Sequence, residues 1–132
     1  MITIQNVIKS YNNKEVLHID SLTISEHECF GLVGNNGAGK TTLFRTILDL
    51  ISIDAGSVVS FGHAVAGTDE WKHFTASFLD EGFLLSFLTP EEYFSFVGKA
   101  YGLSPAEIQE RLRIFEPLFN GDVLKQKKLI RE

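Results

Sequence analysis

Residues 31–48 read GLVGNNGAGKTTLFRTIL, and the fold turns on this stretch. Apolar Leu32 and Val33 lead into a turn that holds Gly34, Gly37 and Gly39. Lys40, Thr41 and Thr42 follow, and Leu43, Ile47 and Leu50 then take the spacing of one helical face. Gly34-Asn35-Asn36-Gly37-Ala38-Gly39-Lys40-Thr41 fits the phosphate-loop pattern G-x-x-x-x-G-K-[ST]. The chemistry asks for these residue types. Backbone N–H groups can surround a polyphosphate only where the chain curls tightly, which glycine permits. A helix that follows offers unpaired N–H groups and about half a positive charge at its start. Lys40 adds a full charge near the β and γ phosphates, and the Thr41 hydroxyl suits Mg2+. A chance match in a glycine-rich loop would lack the apolar strand before it and the amphipathic helix after it.

Working outward, Cys29 to Val33 is a short, nearly all-apolar run, which predicts a strand covered on both faces. Cys29 then reads as a small packed thiol. Ile2 and Ile4 alternate with Thr3 and Gln5 as in a half-buried strand, and Tyr11-Asn12-Asn13-Lys14 reads as a turn. Val16 to Ile24 reads as extended, with a break near Asp20-Ser21 and an end at His27-Glu28. The helix after the loop is expected over Thr41–Leu50. Asp54-Ala55-Gly56 predicts a turn, Ser57 to Phe61 a strand, Gly62 to Gly67 a loop or short strand, and Phe74 to Leu79 a further short strand.

Helices take over next. Thr89-Pro90-Glu91-Glu92 and Ser104-Pro105-Ala106-Glu107 share one grammar: a hydroxyl at the cap, proline at the first helical position, glutamate three on. The first helix is expected to bury Tyr93, Phe94, Val97 and Tyr101 and to end at Gly102. The second presents Ile108, Leu112, Phe115 and Phe119, with Pro117 expected to kink it or end it early. Leu124 to Arg131 reads as a basic helical tail with a solvated face.

The bulk numbers set bounds. The chain has 132 residues, 44% hydrophobic and 22% charged, with 11 Phe, enough for an apolar core. The formal charge of −5 argues against a nucleic-acid partner, which usually meets a basic face. A single cysteine excludes an intrachain disulfide. The N-terminus lacks the pattern of a signal peptide, and no run approaches the roughly 20 apolar residues of a membrane span. A cytosolic location is expected.

Leu32 to Leu43 resembles the Walker A segment of ATP-binding-cassette (ABC) ATPases, and further matches flank it in order. Tyr11, followed by KEVLHIDSLTI, resembles the family's aromatic loop, whose ring stacks on adenine; an ordinary turn tyrosine is the alternative. Asp54-Ala55-Gly56-Ser57-Val58, Phe61-Gly62 and FLLSFLTPEEYFSFVGKAYGLS resemble later parts, the last being the start of the helical subdomain. The resemblance covers nearly the whole chain. It implies an α/β fold: a partial P-loop NTPase core with an N-terminal antiparallel β subdomain over 1–88, then the start of an α-helical subdomain over 89–132. It implies ATP and Mg2+ as cofactors, held by Tyr11, Gly34, Asn35, Asn36, Gly37, Ala38, Gly39, Lys40, Thr41 and Thr42, with Thr41 and Asp80 toward the metal. The implied partners are transmembrane transporter subunits and a second ATPase subunit, which would place the protein at the inner face of the cell membrane. ATP binding and hydrolysis would then be coupled to transport.

Two departures qualify that picture. At the Q-loop, where the family has glutamine and sometimes glutamate, counting back from Leu88-Thr89 places Asp80, shorter by one carbon than glutamate. The chain also has no LSGGQ-like signature, no later apolar run ending in Asp-Glu and no switch histidine after it. It therefore looks like the N-terminal portion of an ABC ATPase, expected to bind nucleotide without hydrolysing it alone. Uncovered apolar surface would favour self-association or weak nucleotide affinity. A rival reading takes Phe78-Leu79-Asp80-Glu81 as a Walker B strand end in a complete, compact ATPase, against which the small, polar Thr75-Ala76-Ser77 weighs. Another is a binding module that holds nucleotide and docks a partner without catalysis through Phe83, Leu84, Leu85 and Phe87, residues that core packing would explain equally well; a further one is a non-transport ABC-type nucleotide-binding protein working on nucleic acid or ribosomes, against which the acidic charge weighs.

Overall fold

The structure is a computed structural model that describes residues 1–124 and 128–130, without the side chain of Glu81. β1 (Ile2–Tyr11) and β2 (Lys14–Ile24) form an antiparallel hairpin that runs from Ile2 opposite Ile24 to Tyr11 opposite Lys14, with one register shift between Lys9 and Ser10. The hairpin closes at Asn12 and Asn13, both left-handed at φ 51° and 62°, as a two-residue turn between twisted strands requires. β3 (Ala55–Ser60) pairs with the other side of β1, and β4 (His63–Ala64) follows it, giving the order β2-β1-β3-β4. The break expected near Asp20-Ser21 does not occur. Ser21 pairs with Gln5, whose Nε2 donates to the Ser21 hydroxyl at 3.1 Å, so β2 runs on to Ile24.

One irregularity builds the core. Ile4 and Val7 would face opposite sides of a regular strand, yet both are fully buried in one cluster. Asn6 at φ 47° explains this: the pairing of β1 with β3 shifts between Gln5 and Ile8, a bulge that turns Val7 onto the face of Ile4. Gly56 lies against that bulge, where a Cβ would come within 2.3 Å of the Asn6 carbonyl oxygen. Ala55 and Gly56 therefore open a strand, and the expected turn over Asp54-Ala55-Gly56 is corrected. Leu17, Val58, Val65 and Trp71 complete the sheet's side of the core, and Trp71 donates to the Thr68 carbonyl at 3.0 Å. α1 (Lys40–Ile47) covers it with Leu43 and Ile47. Burying each such side chain contributes about 1.5–3 kcal/mol. The helix stops three residues short of expectation, and Leu50 is half exposed.

Two expected strands are absent among the described residues. Cys29 to Val33 pairs with no strand; Val33 is 95% exposed and Cys29 is an exposed thiol, not a packed one. An all-apolar strand is buried only between neighbouring strands, and no described strand flanks this one. Phe74 closes a short 3-10 turn (Glu70–Phe74), and 75–79 then runs unpaired with Phe78 exposed.

Contacts divide the chain into two compact units, Met1–Leu79 and Asp80–Glu132, a division inside the segment expected as 1–88. The second unit holds α2 (Pro90–Ala100) and α3 (Pro105–Phe119), both opened by capping boxes as expected. The Thr89 hydroxyl accepts from the Glu92 amide at 3.3 Å while the Glu92 carboxylate accepts from the Thr89 amide at 2.8 Å. The helices meet at Gly98, where a Cβ would lie 2.5 Å from Ile108, and Ile108 and Leu112 are buried. Other burial expectations are corrected. Tyr101 caps the end of α2 with 59% of its surface exposed, and Tyr93, Phe94 and Val97 are half-buried. Pro117 does not end α3 early, since a proline in the last turn forfeits only one helical bond. The helix stops at left-handed Asn120. The tail expected to be helical over Leu124–Arg131 falls partly on 125–127 and 131, outside the described residues, and 128–130 is not helical. Among the described residues no helix is long and apolar enough to cross a membrane.

Candidate polyphosphate site

The loop is anchored before it is charged. Gly39 is the N-cap of α1 at φ 86°, and a Cβ on it would lie 2.6 Å from the Val16 carbonyl oxygen. Only glycine lets the loop backbone lie directly on β2 in that conformation. Ahead of it, the Ala38 amide donates to the Asn35 carbonyl at 3.1 Å, and the Leu43 amide donates to the Gly39 carbonyl at 2.8 Å to begin the helix.

Among the described residues, α1 treats its first turn differently from α2 and α3. α2 and α3 fill theirs with a hydroxyl and a glutamate. α1 has no side-chain cap and no acidic residue in its first turn. Its leading N–H groups are left for an external acceptor, and the helix dipole favours an anion there. Lys40, the first residue of α1, folds back so that its ammonium donates to the carbonyls of Gly34 and, at 2.8 Å, of Asn35. That bond closes a ring from helix to loop start, with exposed Asn35, Asn36, Gly37 and Ala38 inside it. Thr41 is exposed and Thr42 half-buried beside it. The structure thus brings Gly34 to Thr42 together as one site.

This donor set fits a nucleotide's phosphate tail: main-chain amides, one ammonium, hydroxyls, no carboxylate in the first turn. Among the described residues no group of three or more His, Cys, Asp and Glu could hold a metal ion. A Mg2+ held through Thr41 would draw its remaining ligands from phosphate oxygens and water, its usual mode.

Tyr11 ends β1, 47% exposed as a residue, with the Lys9 ammonium 5.1 Å from its ring centroid. Asp54 sits beside this pair. The Ser10 amide at 2.6 Å, assisted by the Lys9 ammonium, holds its carboxyl below the usual carboxylate range. Asp80 opens the second unit. It is exposed, and its carboxylate accepts from the Gly82 amide at 2.8 Å. The Walker B reading of Phe78-Leu79-Asp80-Glu81 lacks the strand it needs, because 75–80 pairs with no described strand; the side chain of Glu81 is outside the described residues. Phe83 and Phe87 are exposed, Leu84 and Leu85 half-buried. The sequence reading missed Lys9 and Asp54. The alternate spacing of Lys9 and Tyr11 could have found the first; nothing local marks the second.

A family model described as ABC transporter matches residues 17–126. Among curated relatives, the linearmycin resistance ATP-binding protein LnrL of Bacillus subtilis (strain 168) is 33% identical over 112 residues, 84% of this chain and 36% of that protein. The lipopolysaccharide export system ATP-binding protein LptB of Haemophilus influenzae (strain ATCC 51907 / DSM 11121 / KW20 / Rd) is 39% identical over 66 residues, 50% of this chain and 27% of that one. A solved structure described as the ATP binding subunit of an ABC transporter superposes with a TM-score of 0.79 at 28% identity, covering 92% of this chain and 51% of that chain. The likeness bears out the expected fold, part of a P-loop NTPase with its antiparallel β subdomain and the start of its helices. The chain spans about half of that solved chain and little more than a third, at most, of these two curated relatives.

Proposed function

The chain belongs to the ABC transporter family, and on that premise we propose that it is the nucleotide-holding part of an ATP-binding component that couples ATP binding and hydrolysis to transport across a membrane. The observation that carries the reading is the loop seated on β2 through Gly39, with α1 uncapped and Lys40 folded over it. Gly34 to Thr42 wraps the phosphates of Mg-ATP, Thr41 reaches the metal, and Tyr11 stacks on adenine. Asp80 serves as the Q-loop residue, toward the metal.

Transmembrane subunits and a second ATPase subunit are the partners in this reading, which puts the protein at the inner face of the membrane. ATP would stabilise the closed pair of ATPase subunits and hydrolysis would release it, a population shift driven by differential binding. A relative named for lipopolysaccharide export supports an exporting system.

These 132 residues bind nucleotide without turning it over, because the sequence carries no LSGGQ-like segment and, among the described residues, no paired strand ends in Asp-Glu. A steady-state phosphate-release assay tests this. The chain is expected to match the background of Lys40→Ala; clear turnover in the parent, abolished by that substitution, contradicts it.

A further inference from the structure

We propose that Lys9 and Asp54 are positioning residues that fix the Tyr11 ring and reserve one of its faces for the nucleotide base. This rests on the reading of Tyr11 as the adenine platform and names what holds that platform in place.

Asp54 grips the end of β1 at three successive residues. Its amide donates to the Ile8 carbonyl at 2.8 Å, its Oδ1 lies 3.4 Å from the Lys9 ammonium, and its Oδ2 accepts from the Ser10 amide at 2.6 Å. The grip falls opposite an irregularity: between Lys9 and Ser10 the register against β2 shifts, and the extra residue, Val16, lies on β2. β1 therefore keeps its own alternation there, and Asp54 holds the strand end on which Tyr11 sits.

Lys9 adds a second restraint. Lys9 and Tyr11 project to one side of the strand. The Lys9 side chain is only 13% exposed, which is low for a lysine, and its ammonium sits between the Asp54 carboxylate and the Tyr11 ring, 5.1 Å from the centroid. A flat ring has two faces. The cation occupies one, attracted by the ring's negative face, so a base can stack only on the other. A ring already aimed loses less freedom when the base arrives. An ion pair whose carboxylate is half exposed adds little to stability; what the pair supplies is orientation, and its effect should appear in base recognition.

Calorimetric titration of the full chain with Mg-ATP and with Mg-tripolyphosphate, which has the tail and no base, separates these roles. Lys9→Met and Asp54→Asn are expected to weaken Mg-ATP by about two- to fivefold and leave Mg-tripolyphosphate unchanged, with Lys9→Arg restoring the parent value. Lys9→Met that binds Mg-ATP like the parent, or that loses both ligands alike, overturns the proposal. Tyr11→Ala separates the two layers. If it leaves the ratio of the two affinities unchanged, the stacking reading itself fails. If it lowers the ratio and Lys9→Met does not, only the positioning role fails. A ligand-free readout is the NMR shift of the Lys9 Hε protons. Ring-current displacement in the parent, lost in Tyr11→Leu, supports the geometry; undisplaced protons in the parent refute it.

Discussion

The Gly39 α-carbon and the Val16 carbonyl oxygen are so close that an added Cβ would lie 2.6 Å from that oxygen. This contact joins the phosphate loop to the hairpin sheet, and it makes the loop's shape a property of the sheet. Gly39→Ala meets two obstacles, the backbone oxygen and a φ of 86°. Each is of order 1–3 kcal/mol. Urea unfolding of Gly39→Ala is expected to show a lower midpoint with an unchanged slope, and Mg-ATP binding should weaken as the loop is pushed off β2. A variant as stable as the parent would mean that the loop does not rest there.

The capping boxes make a separate prediction for the second unit. Removing the Ser104 hydroxyl strands the Glu107 amide it caps at 3.3 Å and leaves the Glu107 carboxylate, which the Ser104 hydroxyl and amide together hold below its usual range, with the Ser104 amide alone. Ser104→Ala is expected to destabilise α3 by about 1 kcal/mol. Amide hydrogen exchange should quicken across Ile108 to Leu112 and stay unchanged in β1 and β2.

Acid should act through Asp54. Its partners, the Ser10 amide first and then Lys9, favour the charged carboxylate, so its pKa in the folded chain lies below the ordinary 3.8. A depressed carboxylate stabilises the fold above the unfolded-state value, and that contribution is lost as pH falls through the folded-state value. The urea midpoint of the parent is therefore expected to drop more steeply below about pH 4 than that of Asp54→Asn, which has nothing to protonate there. Parallel curves would contradict the clamp.

What could be read from the sequence was what is local. The phosphate loop is a contiguous pattern, and the caps at Thr89 and Ser104 depend on residues three apart, so both were visible. The bulge at Asn6 was not: Ile4 and Val7 look like opposite faces until a left-handed residue between them reverses the alternation. Cys29 to Val33 and Phe74 to Leu79 have strand composition, but strands need neighbours, and pairing is a property of the whole sheet. Asp54 reaches Lys9 across 45 residues of sequence and reads in isolation as a turn aspartate. Gly98 reads as an ordinary helix glycine until Ile108 is seen against it. In the site, the loop was legible and the support beneath Tyr11 was not.

The most direct test of the account is a calorimetric titration of the chain with Mg-ATP beside Lys40→Ala. Lys40 now bonds the Gly34 and Asn35 carbonyls, and the account has its ammonium move to the phosphates when nucleotide arrives. Losing a charge-assisted bond of that kind should weaken binding by about tenfold to a hundredfold. Equal affinity with and without the ammonium would contradict the claim that this loop holds a nucleotide's phosphates.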